Sequence, residues 1–77
     1  MAHLIQGMCL LPNIRESSGV TQSELTKNLK KLYGVSISVS HLSRMERGER
    51  PMTTLQKRAI CLALNCTEAD LYDWKLQ

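Results

Sequence analysis

The chain has 77 residues and a net charge of +3, with ten lysines and arginines against seven aspartates and glutamates. A chain this short forms a single domain and leaves little room for a catalytic cleft. With no phenylalanine, one tryptophan and two tyrosines, its core has to be aliphatic. The three cysteines, Cys9, Cys61 and Cys66, include no C-x-x-C pair. They indicate reduced thiols of a cytoplasmic protein rather than a disulfide scaffold or a metal site.

The basic residues are concentrated in the middle of the chain. Residues 27–58 hold eight basic and two acidic side chains, whereas the remainder has a net charge of −3. This segregation favours a surface that faces a polyanion, although solvated helix faces would give the same pattern. No apolar run approaches the ~20 residues that cross a bilayer. Because no lysine or arginine precedes Arg15, we expect no signal peptide.

The first eleven residues are apolar but interrupted by Gly7. We expect residues 1–11 to form an N-terminal arm, a short extra helix or a dimer contact. Pro12 suits a first helical turn, so a first helix should run from about Pro12 to Ser18 and open the domain at residues 12–77.

The second helix should begin after Thr21, because Thr21 and Glu24 have the spacing of a capping box, and it should end at Gly34. An inward apolar stripe is predicted at Leu25, Leu29 and Leu32.

The third helix is predicted over about residues 39–47, with Ser38 as its N-cap and Gly48 as its stop. Leu42 and Met45 share a face that can turn inward. The remaining faces point outward and carry Val39, Ser40, His41, Arg44 and Arg47.

A fourth helix should be capped by Thr53 or Thr54 and bury Leu55, Ala59 and Leu62, with Ile60, Ala63 and Leu64 widening this inner stripe. A short fifth helix should begin after Thr67, with Asp70 completing a second capping box. No alternating strand pattern is convincing. The expected fold is all-α, with five helices.

Two segments carry a likeness to a known family: G-V-T-Q-S-E-L at residues 19–25 and S-V-S-H-L-S-R-M-E-R-G-E-R-P at residues 38–51. Residues 14–16 and 62–71 extend it. In this order they resemble the lambda-repressor-like, or Cro/XRE-type, helix-turn-helix family over about residues 12–74. The resemblance implies a five-helix domain that binds double-stranded DNA as a homodimer, with helix 3 in the major groove.

Site residues follow from the resemblance by position. Base edges would be read by Val39, Ser40, His41, Ser43 and Arg44, and Arg44 is the best candidate to donate two bonds to guanine. Phosphates would be contacted by Thr21, Gln22, Ser23, Arg47, Arg50 and Lys57. Gln22 would also brace helix 3, and Arg15 would form a structural salt bridge with Glu46.

One departure concerns the spacing between helix 2 and helix 3. Thr21 and Ser43 are 22 positions apart, about six more than in compact members of the family. We infer a helix 2 longer by about one turn, followed by a longer connection.

The leading hypothesis is a sequence-specific transcriptional regulator, a repressor from a phage or mobile element that occupies an operator in the cytoplasm. A protein-interaction module or antitoxin on the same scaffold is the alternative. An enzyme is disfavoured because His3 and His41 are isolated and no nucleophile–base pair is visible. We expect no cofactor, metal or small-molecule ligand.

Overall fold

A computed structural model describes residues 2–77 and, within them, four α-helices flanked by two short strands. The helices are α1 (Leu11–Ser17), α2 (Gln22–Tyr33), α3 (Val39–Glu46) and α4 (Thr54–Leu64). A 3₁₀ turn follows at Glu68–Asp70. The strands are β1 (Leu4–Cys9) and β2 (Tyr72–Leu76), which pair antiparallel. The fold is therefore mostly helical, with a small sheet that joins the two ends of the described chain.

Helices α2, α3 and α4 begin where their capping residues predict. The Thr21 hydroxyl accepts from the Glu24 N–H at 3.1 Å, and the Glu24 carboxylate accepts from the Thr21 N–H at 3.1 Å. The Ser38 hydroxyl accepts from the His41 N–H at 3.0 Å. Thr53 caps α4 in the same way. Each cap satisfies backbone N–H groups that the first helical turn leaves without partners.

The core is aliphatic, and it contains Leu25, Leu29, Leu42 and Met45 as predicted. The predicted stripes fail at Leu32, Leu55 and Leu62, which are 60%, 67% and 56% exposed. On α4 the predicted inward positions Ala59, Ile60 and Leu64 are buried, and Cys61 is buried beside them. Since that helix is apolar on several sides, its periodicity alone did not identify the buried face.

The spacing between α2 and α3 agrees with the long connection expected from the sequence. Helix α2 has 12 residues and ends at Tyr33, and the φ of its C-cap residue Gly34, 68°, lies in the left-handed region. Five residues then separate it from Val39, and two of them, Val35 and Ile37, are buried. The connection therefore packs as part of the core, and the two helices are not joined by a tight turn.

The predicted fifth helix is present only as the three-residue 3₁₀ turn at Glu68–Asp70, and Leu4–Cys9 form a strand where a short extra helix was one alternative. The Asp70 carboxylate does accept from the Thr67 N–H at 2.9 Å, as the capping box predicted. The turn ends after three residues, however, because Tyr72 begins the strand that pairs with β1. The five-helix, all-α expectation is thus corrected to four α-helices and a two-stranded sheet.

The two strands lie unusually close together at Gly7. The register shifts between Gln6, opposite Trp74, and Cys9, opposite Tyr72. A Cβ atom added at Gly7 would lie well inside contact distance of the Asp73 carbonyl oxygen. Glycine is therefore required here by the approach of another backbone.

We expect Gly7→Ala to lower the free energy of unfolding by about 1–3 kcal/mol, because the added methyl group meets a backbone oxygen that cannot rotate away. Thermal melts followed by circular dichroism measure the change. Gln6→Ala, at the exposed neighbour in β1, is the control and should have a smaller effect. Equal melting temperatures for the two variants would contradict the close approach.

Candidate nucleic-acid interface

Helix α3 turns one face into the core and the other toward solvent. Leu42 and Met45 are 0% and 1% exposed. Val39, Ser40 and Arg44 are exposed on the opposite side, and His41 and Ser43 are half-buried beside them. The five side chains predicted to read bases therefore lie on one short helix, whose opposite face packs into the core.

Arg44 differs from its neighbour Arg47 in having no acidic partner. Within residues 2–77 it takes part in no ion pair, and its side chain is exposed. Its guanidinium group therefore remains available for an external acceptor, and its planar donor pattern suits a base edge or a phosphate.

Arg47 is held by two neighbours on the same surface. Its Nη1 donates to the Ser43 hydroxyl at 2.8 Å, and its Nε donates to a Glu49 carboxylate oxygen at 2.5 Å. The hydrogen bond from Arg47 lowers the pKa of Glu49, and the more distant charge of Arg44 lowers it further. The sequence analysis did not identify Glu49 as a partner of Arg47. The signal for this pair is two opposite charges two positions apart, just beyond the end of the helix.

The N-terminus of α2 opens into a shallow cleft beside the start of α3. The cleft has a volume of about 580 Å³ and is lined in part by Thr21, Gln22, Ser23 and Val39. Three of the predicted phosphate contacts thus share one concavity with a predicted base-reading residue. The positive end of the α2 dipole adds a favourable field for an anion there.

Two other predicted phosphate contacts stand apart from this group. Arg50 lies in the connection between α3 and α4, and Lys57 lies in the first turns of α4. Within residues 2–77 no hydrogen bond or ion pair of their side chains joins them to α3. The structure therefore brings the α2 and α3 residues together but leaves these two as separate charges.

Behind the exposed face, Glu46 connects three helices. Its carboxylate accepts from Arg15 Nε at 2.8 Å, from Arg15 Nη2 at 3.2 Å and from Gln22 Nε2 at 2.8 Å. Arg15 also donates to the Val20 carbonyl at 3.0 Å. The side chains of Arg15 and Glu46 are only 12% and 5% exposed. The hydrogen bond with Glu46 raises the pKa of Arg15, so the guanidinium group stays charged.

This network fixes the orientation of Gln22. Because the Gln22 amide nitrogen donates to Glu46 at 2.8 Å, the side chain bridges the start of α2 to the end of α3. The cleft at the α2 N-terminus and the exposed face of α3 are thereby held in one relative position.

Metal chemistry has no support in the described part of the chain. Residues 2–77 contain no group of three histidine, cysteine or acidic side chains placed to hold a metal ion. Cys9, Cys61 and Cys66 are free thiols. Burial raises the pKa of Cys9 and Cys61, and raises that of Cys66 to about 12, so these thiols are neutral near pH 7. In the same residues, no helix has the length and apolarity to span a bilayer.

We expect Glu46→Ala to lower the free energy of unfolding by about 3–5 kcal/mol, because it leaves the Arg15 charge in a nearly buried position without its partner. A chemical-denaturation curve measures the loss. Glu49→Ala is the matched control, since it removes the exposed carboxylate of the Arg47 pair and should cost far less. If both variants unfolded at the same denaturant concentration, the Glu46 network would not stabilise the fold.

Comparison with known protein families matches residues 11–77 to the Cro/C1-type HTH DNA-binding domain. No curated protein and no solved structure matches the chain. The match covers the four helices, the 3₁₀ turn and β2, and it includes every residue of the candidate interface. The chain therefore belongs to the family of Cro/C1-type helix-turn-helix DNA-binding domains.

Proposed function

We propose that this protein is a sequence-specific transcriptional regulator that places α3 in the major groove of DNA as a homodimer and represses by occupying its operator. The observation that carries the proposal is the exposed face of α3, where Arg44 has no acidic partner within residues 2–77. Membership of a DNA-binding family supports it.

Base reading is assigned to the exposed side of α3. Arg44 can donate two parallel hydrogen bonds to O6 and N7 of a guanine, and the Val39 methyl groups can contact a thymine methyl. Ser40 is exposed one residue further along, and its hydroxyl can donate or accept. His41 and Ser43 complete the set at the margins of this face.

Phosphate binding is assigned to the residues around it. Thr21, Gln22 and Ser23 line the cleft at the α2 N-terminus, where backbone N–H groups can donate to a phosphate oxygen. Arg47, Arg50 and Lys57 add positive charge. Such contacts set the register of the protein on the duplex and make affinity depend on salt, without reading sequence.

The proposed mechanism of repression is occupancy of the operator. A two-fold dimer would present two copies of α3 to half-sites about one helical turn, or ~34 Å, apart. A protein bound to an operator that overlaps a promoter excludes polymerase without any further activity. A protein of this kind works wherever the DNA is, in the cytoplasm of a cell without a nucleus.

Arg44→Ala should remove the preference for one base pair in each half-site, at a cost of about 1–3 kcal/mol in discrimination. Selection of bound duplexes from a random pool, at near-physiological salt, measures this for the wild type and the variant. Arg58→Ala is the control, because it removes the same charge from an exposed position on α4. An enriched motif that is unchanged in the Arg44 variant would remove Arg44 from the base-reading set.

Glu49→Gln should strengthen binding to DNA of any sequence. The substitution releases Arg47 from its carboxylate partner, so that one more phosphate can be neutralised. The slope of log K against log salt should then steepen by about 0.9. Titration of a random-sequence duplex at several salt concentrations tests this, with Glu68→Gln as a charge-matched control at an exposed position of the 3₁₀ turn. An unchanged slope would mean that Arg47 does not reach a phosphate.

A further inference from the structure

Two of the three cysteines lie next to each other at the end of α4. Cys61 is in the last turn of the helix, and Cys66 is the second residue after it. Five positions apart on a continuous helix, their side chains would point in directions about 140° apart. They are brought together because the chain reverses at Asn65, whose φ of 54° lies in the left-handed region.

The reversal has the hydrogen bond of a Schellman motif. The Cys66 N–H donates to the Cys61 carbonyl oxygen at 3.0 Å. In this motif the side chains at the two ends of the turn commonly contact each other. Here both are thiols: burial raises the pKa of Cys66, and the neighbouring Cys61 thiol, through its charge and a hydrogen bond, raises it further. A disulfide joins Cα atoms about 5.5–6 Å apart, a separation common between backbones that share a hydrogen bond.

The two thiols differ in their access to solvent. Cys61 is buried, whereas Cys66 is half-buried. Cys66 lines an open cleft of about 450 Å³ between α4 and α1, which Asn13 and Ser17 line from the side of α1. A small reagent can therefore reach Cys66 first, and Cys61 is placed to react with whatever forms there. Cys9, at the end of β1, has no cysteine among the groups that shift its pKa.

We propose that Cys61 and Cys66 are a reversible redox pair, which a low-molecular-weight disulfide closes into a disulfide bond within the folded subunit. The Cys66 thiolate attacks one sulfur of the reagent and expels one thiol. The Cys61 thiolate then attacks Cys66 Sγ in the mixed disulfide and expels the second thiol. The two protons lost by the cysteines pass to the two released thiols, and the two electrons reduce the S–S bond of the reagent.

Closure should stabilise the end of α4 and the segment that follows it. A disulfide restricts the unfolded chain, and a domain of 77 residues has little stability in reserve. Cys66 directly precedes Thr67, the N-cap of the 3₁₀ turn that leads into β2. Neither cysteine lies on α2 or α3, so oxidation acts on the stability of the subunit and leaves the residues of the candidate interface chemically unchanged.

Equilibration with glutathione tests whether the pair closes. Protein is incubated with mixtures of reduced and oxidised glutathione at about pH 8 until no further change occurs, because the high pKa of Cys66, about 12, slows the exchange. Free thiols are then alkylated and the protein is digested with trypsin. Cleavage after Arg58 and Lys75 leaves both cysteines in one peptide, residues 59–75.

We expect this peptide to lose two hydrogen atoms and to resist alkylation, while Cys9 is alkylated. In Cys61→Ala, by contrast, Cys66 should stop at the mixed disulfide and carry glutathione. A wild-type peptide that remains fully alkylated, or that carries glutathione on Cys66 with Cys61 alkylated, would overturn the proposal.

A second comparison tests the role of the folded turn. The equilibrium constant for closure should be at least about tenfold larger in the folded protein than in concentrated urea, because the fold brings the thiols together. Asn65→Val disfavours the left-handed conformation and should reduce this advantage, whereas Asn65→Gly, the matched control, should retain it. An equal or smaller constant in the folded protein would show that the native turn does not favour the disulfide.

Thermal melts give the same answer from the other direction. Since closure and folding are linked, the closed form should melt at a higher temperature than the reduced form. Cys61→Ala, treated in the same way, should show no such rise. A closed form that melts at the same or a lower temperature would overturn the stabilising role. None of these measurements contains DNA, so their failure would leave the proposed function untouched.

Discussion

The orientation of α3 depends on one buried carboxylate. Glu46 receives three hydrogen bonds, two from Arg15 on α1 and one from Gln22 on α2. A charge that is 95% shielded from solvent is unfavourable unless it is paired and hydrogen-bonded. Both conditions are met only when the three helices are in their observed positions. The network therefore favours this one packing over other compact arrangements of the same helices.

The two glutamates of the basic segment act in different ways because of where the chain places them. Glu46 lies at the end of α3 with its side chain directed inward, and it controls the packing of three helices. Glu49, three residues later, lies beyond the end of the helix and pairs with Arg47 in solvent. An exposed pair contributes little to stability, but it does occupy an arginine of the candidate interface that could otherwise bind an external anion. Glu46 thus stabilises the packing beneath the candidate interface, whereas Glu49 reduces the positive charge on its exposed side.

Sequence reasoning succeeded where the determining interactions are local. A threonine or serine hydroxyl and an N–H three residues later suffice to set a helix start, so the caps at Thr21, Ser38 and Thr53 were predictable. The residues of the Glu46 network were reached through the family resemblance. The sheet was missed because its pairing joins Leu4 to Leu76, at opposite ends of the described chain. Neither strand has an alternating pattern of its own, so each segment's structure is decided by the other.

The same sheet runs from the core to solvent within the five residues of β2. Tyr72 is buried in the core, whereas Trp74, two positions along the same face, is 39% exposed. The two rings pack edge to face, with their centroids 5.6 Å apart. Because a two-stranded sheet is marginal in water on its own, the attachment of Tyr72 to the core helps to hold β1 and β2 in place. The two ends of the described chain therefore depend on the helical core for their structure.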